Sequence, residues 1–248
     1  MQKLLALSRG TNNPNEAAAA MRKATELVER HRLEMADVEG DGAAGDKPTL
    51  DQHPLVEAGK IENWNKTLTV YLAEANSCCV VGGRYMRHGH FIQYSMLVGR
   101  PSDIAIVREL YTYLILELTR RYKADQRTDY LHRGSWWDGA VRAVGVALQA
   151  GKKAARATAS TTAIVLVDKR ALEAAEELKR ACPKIRDKTV KTPKVEVLSW
   201  HKGAAAGKKA MSSRSGTRLE PPRNTDETST GQLGFGFGSA YTAPRSKP

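Results

Sequence analysis

A chain of 248 residues with 41% apolar content can bury one sizeable core with appendages, or two small ones, although its 6% aromatic content is sparse. Three cysteines, Cys78, Cys79 and Cys182, two of them adjacent, exclude a disulfide framework and predict reduced thiols in a cytoplasmic protein. The net charge of +12 is uneven: residues 1–150 carry 19 basic and 18 acidic side chains and residues 151–248 carry 20 and 9, so the basic excess is C-terminal.

In chain order, Lys3 to Ser8 predicts a short apolar helix, too short for a signal peptide. Gly10 to Pro14 is a turn cluster, and Asn13 or Asn15 can cap a second helix. That helix runs from Glu16 to His31, with Ala17, Ala20, Met21, Ala24, Leu27 and Val28 on one face. Arg22, Lys23, Glu26, Glu29 and Arg30 lie largely opposite. Residues 1–40 therefore predict a helical hairpin.

The residues Lys3-Leu-Leu-Ala-Leu, Asn13-Pro-Asn-Glu-Ala-Ala18 and Lys23-Ala-Thr-Glu-Leu-Val-Glu-Arg-His-Arg-Leu33 resemble, in order and spacing, the bacterial and phage family known as domain of unknown function 2786. Thr25 and Val28 stand where that family commonly has Gln and Met. More loosely, the remainder is similar to the uncharacterised C-terminal domain that often follows it. The carriers are Leu97-Val-Gly-Arg100 with Asp103, Leu110-Tyr111, Trp137-x-Gly-Ala140, Ala163 to Val167 and Gly203-x-x-x-Gly207. The resemblance implies a bacterial or phage protein and supplies no activity and no catalytic residues.

Residues 41–60 are rich in Gly, Asp and Pro and read as a linker to a core over 61–211. Trp64 to Ala75 has helical spacing. Cys78 to Val81, Arg84 to His88 and Phe91 to Val98 predict two or three antiparallel strands, with turns or bulges at Gly82-Gly83 and Gly89. After Gly99, Ser102 or Asp103 can cap a long central helix whose core face is Ile104, Val107, Tyr111, Leu114 and Leu118. Leu110, Tyr113 and Leu116 widen that face until little of the helix is polar. Arg120 to Arg133 reads as a helix end and a loop, and Ser135 as the cap of the next helix. That helix buries Trp137, Val141, Val144 and Leu148 and leaves Trp136 partly exposed. Thr161 to Val167, β-branched and apolar, reads as a strand. A helix over Leu172 to Cys182 and another over Val195 to Met211 follow, then a disordered basic tail over 212–248. The fold class is α+β: a helical hairpin, then a small antiparallel sheet packed with several helices.

The chemistry is thin. No stretch approaches the roughly 18 apolar residues of a membrane span, and no cofactor motif is present. Gly203 to Lys209 has a Walker-like look without a preceding strand or a following Ser/Thr, so close helix packing explains its glycines. His88 and His90, two apart on a strand, would share a face and reach one ion, but no third ligand is evident by spacing. Lys184, Arg186, Lys188, Lys191, Lys194, Lys208 and Lys209 are the candidate phosphate contacts. Gln232 to Phe237 is a hexapeptide similar to bacterial sliding-clamp-binding peptides, in which Gln232, Leu233, Phe235 and Phe237 would anchor a sliding clamp or other replication protein. Two functional readings follow. The first is a non-enzymatic phage, prophage or bacterial accessory protein that binds nucleic acid or a DNA-processing partner. The second is a metal-dependent hydrolase with its site beside His88 and His90.

Overall fold

The computed structural model describes residues 47–125, 130–157, 159–185 and 195–211. Among these, four strands and five helices make an α+β fold. The predicted hairpin over 1–40 and the tail over 212–248 lie outside the described residues.

The sheet is built around one strand. β3 (Cys79–Arg87) and β4 (His90–Gly99) form an antiparallel hairpin, in register from Cys79 opposite Val98 to Arg87 opposite His90. β1 (Thr49–Leu50) and β2 (Val56–Ala58) share the other edge of β4 in succession. Both short strands therefore fall inside the stretch read as linker. Backbone bonds from Asp51 and Leu55 to β4 and one long-range side chain hold the segment between them. The Arg108 guanidinium donates to Asp51 Oδ2 from Nε at 3.0 Å and from Nη2 at 2.6 Å, and also to the carbonyls of His53 and Pro54. Its partners are fifty-odd residues distant in sequence, which is why composition alone makes this segment look unstructured.

α1 (Asn63–Ala75) and α2 (Pro101–Ala124) pack beside the sheet. α2 buries the face expected of it, with Val107, Leu114 and Leu118 at the centre. Leu110 joins that face, but Leu116 is 68% exposed, so α2 keeps one wet side. Neither Ser102 nor Asp103 caps it. Arg100 holds the cap position without a side-chain bond, and Pro101 starts the helix, where its missing N–H costs nothing. Asp103 sits in the first turn, on the favourable side of the helix dipole.

α3 (Tyr130–Ala157) begins earlier than the sequence suggested, so Ser135 is inside the helix rather than its cap. Trp64 of α1 stacks on Trp137 of α3 with ring centroids 4.2 Å apart, and Trp136 meets Trp137 edge-on at 5.5 Å. Trp136 is buried as deeply as its neighbour, because Tyr122 of α2 closes over it edge-on.

Thr161 to Val167 is helical, the first turns of α4 (Thr161–Ala181), and not a strand. The Ser160 side chain accepts from the Ala163 N–H at 3.0 Å and caps it. Ala163 and Val167 are buried four residues apart while Val165 is 60% exposed, which is helical and not strand periodicity. α4 packs across β1, β3 and β4, and Glu173 pairs with Arg100 at 2.8 Å.

α5 (Val197–Met211) docks against α3 over most of its length. Gly139, Gly203 and Gly207 make that contact possible. A Cβ at any of them would overlap a backbone carbonyl across the interface, of Trp200, Trp136 and Ala140 respectively. Close helix packing is thus the role of the Gly203 and Gly207 pair.

Candidate functional site

Three sets of polar or charged groups stand out in the fold. The first comprises the predicted basic residues, of which the described ones fall at the ends of two different helices. Lys184, just beyond α4, is exposed, as are Lys208 and Lys209 in the last turn of α5. Lys179 and Arg180 end α4 in the same way. Cations at a helix C-terminus oppose its negative pole, so these positions also suit the helices. Arg186, Lys188, Lys191 and Lys194 lie outside the described residues, as do Gln232, Leu233, Phe235 and Phe237.

The second is the tip of the β3–β4 hairpin. His88 (φ 49°) and Gly89 (φ 79°) both occupy the left-handed region, the pairing that a two-residue turn of this handedness demands. Gly89 suits that position, whereas His88 is strained there. His88 is therefore a turn residue and His90 opens β4, so the strand spacing that would aim both at one ion does not apply. Both are exposed, and among the described residues no group of three His, Cys, Asp or Glu side chains could hold a metal. Beside them Arg84, Met86, Arg87 and Phe91 are also exposed, with the Arg84 guanidinium 5.0 Å from the Phe91 ring centroid.

The third, which the sequence reading missed, is the seam between α3 and α5. His132, Ser135, Asp138 and Arg142 recur at three- and four-residue spacing along α3. The Trp200 indole N–H donates to Asp138 Oδ2 at 3.0 Å and Arg142 Nε donates to the same oxygen at 2.8 Å. Ser135 Oγ accepts from the Glu196 backbone N–H at 2.7 Å. Glu196 caps α5, accepting from the N–H groups of Leu198 and Ser199. Bonds from Ser199, with His132 adding to them, hold its carboxyl at about 2. His132 Nδ1 lies 2.7 Å from Ser199 Oγ and 3.0 Å from Glu196 Oε2.

Ser, His and Glu together invite comparison with a nucleophilic relay, but the geometry is wrong for one. A relay needs acid and hydroxyl on opposite ring nitrogens of the histidine, and here both address Nδ1. Ser199 is also almost wholly buried. The seam is a lock that fixes the start of α5 on α3. Burial, then Glu74, pushes the Cys79 thiol up, the direction opposite to activation.

Among the described residues no helix is long and apolar enough to cross a membrane. No curated protein and no solved structure matches the chain. Residues 1–35 match the model of a family described as "Protein of unknown function (DUF2786)", in agreement with the N-terminal resemblance.

Proposed function

We propose that this chain is a non-enzymatic accessory protein, acting in a bacterial or phage-infected cytoplasm, that binds nucleic acid through its basic C-terminal part. The observation that carries this reading is the charge distribution: 20 basic against 9 acidic residues over 151–248, with near balance before it. Lysines and arginines in that proportion neutralise phosphates and release counterions, a contact that needs no pocket. The exposure of Lys184, Lys208 and Lys209 on the fold is consistent with it. So is the α3–α5 seam, whose polar groups serve to hold a helix in place.

The experiment compares the full chain with two variants in DNA-binding titrations. One ends at Met211; the other replaces Lys184, Arg186, Lys188, Lys191, Lys194, Lys208 and Lys209 with Gln. Cutting earlier would remove α5 and uncover the Trp136 face of α3, so Met211 is the earliest usable end. Weaker binding by both variants supports the reading. Equal affinity for all three proteins overturns the C-terminal assignment. A second reading, carried by the placement of two of the chain's three Phe in a polar segment, makes Gln232, Leu233, Phe235 and Phe237 an anchor for a sliding clamp.

A further inference from the structure

The hairpin arm formed by the far ends of β3 and β4 has a chemistry of its own. From Arg84 to Ile92 it reads RYMRHGHFI: two Arg, two His, three apolar or aromatic side chains beyond the tyrosine, and no acid. The pairing sets Met86 opposite Phe91 and Arg84 opposite Gln93. Alternation along each strand then places Arg84, Met86 and Phe91 on one face. Met86 is 61% and Phe91 53% exposed, an unusual outlay of apolar surface on so basic an element. The Arg84 guanidinium lies over the Phe91 ring, 5.0 Å from its centroid, so a cation already sits against the ring face. The opposite face of the arm is anchored. Tyr85 donates to Glu57 of β2, Arg87 lies 4.0 Å from the same carboxylate, and the Tyr94 ring covers Gly83. The arm is thus braced on one face and open on the other.

We propose that this open face binds unpaired bases of a single-stranded nucleic acid. Phe91 and the Arg84 guanidinium supply the stacking surface, and His88 at the exposed turn supplies a donor for a neighbouring phosphate. Every base has a π-face, so such a contact is tolerant of sequence, and a nearby cation stiffens it. Charge selects this occupant. Two copies of this face would bring their Arg84 side chains together without an acid from either arm between them, whereas a polyanion with flat apolar bases satisfies both halves of the surface. The inference rests on the nucleic-acid reading above but assigns a different part of the fold and a different form of the ligand.

The test uses the full chain with fluorescent oligodeoxyuridylate, oligouridylate and duplex DNA of equal length. Phe91→Ala is expected to weaken single-strand binding on the order of tenfold, while leaving duplex binding unchanged. Phe91→Tyr, which keeps the ring, restores it; Phe91→Leu, which keeps apolar area without the plane, does not. A loss on either single strand supports the arm, and the tighter of the two identifies the sugar. Single-strand binding that survives Phe91→Ala, or is restored by Phe91→Leu, overturns the proposal. So does a change of oligomeric mass on Phe91→Ala with single-strand affinity intact, which would mean that a second copy covers the face. If the unaltered chain binds none of the three ligands, the C-terminal reading fails as well.

Discussion

The Trp200 indole N–H donates to Asp138 at 3.0 Å, joining two residues 62 positions apart and fastening α5 to α3. Asp138 is nearly buried and takes a second bond from Arg142. Removing the carboxylate leaves two donors short of an acceptor. Asp138→Ala should therefore lower unfolding free energy by about 2 kcal/mol, and Trp200→Phe by about 1 kcal/mol. Urea denaturation followed by circular dichroism measures both. An unchanged midpoint for Asp138→Ala would mean that the seam contributes nothing.

Two glycine substitutions on the same pair of helices should have opposite signs. At Gly203 a Cβ would overlap the Trp136 carbonyl, and backbone cannot move aside cheaply. Gly203→Ala should destabilise by about 2 kcal/mol. At Gly151 of α3 a Cβ would meet open space, so Gly151→Ala should stabilise by up to about 1 kcal/mol through helix propensity. Thermal melts of the two variants side by side decide it, and destabilisation by both would contradict the packing described.

Much of this was legible in the residues, and the failures have identifiable causes. Ile104, Val107, Tyr111, Leu114 and Leu118 repeat so regularly that the central helix and its buried face follow from spacing. Gly89 between two strand-like runs announces the hairpin. Thr161 to Val167 misled because a short β-branched run fits helix and strand alike. The deciding signal was Ser160 as a cap, with no Gly or Pro from Thr161 to Ala181. β1 and β2 were hidden because two- and three-residue strands have no periodicity, and β4 and Arg108 define them from far away in sequence. The stripe His132, Ser135, Asp138 was visible as helical spacing, but its partners Glu196, Ser199 and Trp200 lie more than sixty residues on. The contact of Arg84 with the Phe91 ring needed the hairpin register.

The Glu196 cap gives stability an acid dependence. Its carboxyl titrates at about 2 rather than at the ordinary 4.5, because Ser199, His132 and Leu198 bond the ionised form. A depressed carboxyl contributes its stabilisation fully above the unfolded value and loses it as pH falls toward the folded one. The α3–α5 seam should accordingly weaken between about pH 4.5 and pH 2. Glu196→Gln should flatten that part of the stability profile. An identical acid limb in the variant would assign the effect to other carboxylates.

The tail hexapeptide is tested apart from the fold. A fluorescent peptide spanning Ser229 to Ala240 should bind the host's sliding clamp, with Leu233, Phe235 and Phe237 burying apolar area and Gln232 bonding at the rim. The double substitution Gln232→Ala with Phe237→Ala should abolish binding. Retained affinity would leave the clamp without a specific anchor.

The most direct measurement is the affinity of the full chain for duplex DNA as a function of salt. Phosphate contacts predict that log affinity falls linearly with log salt, with each contact adding about 0.9 to the slope, whatever the sequence of the duplex. Replacing Lys184, Lys208 and Lys209 with Gln should lower that slope by about 1 for each lysine that touches a phosphate. Affinity that is absent, or that does not change with salt, would contradict the assignment of nucleic-acid binding to the basic C-terminal part.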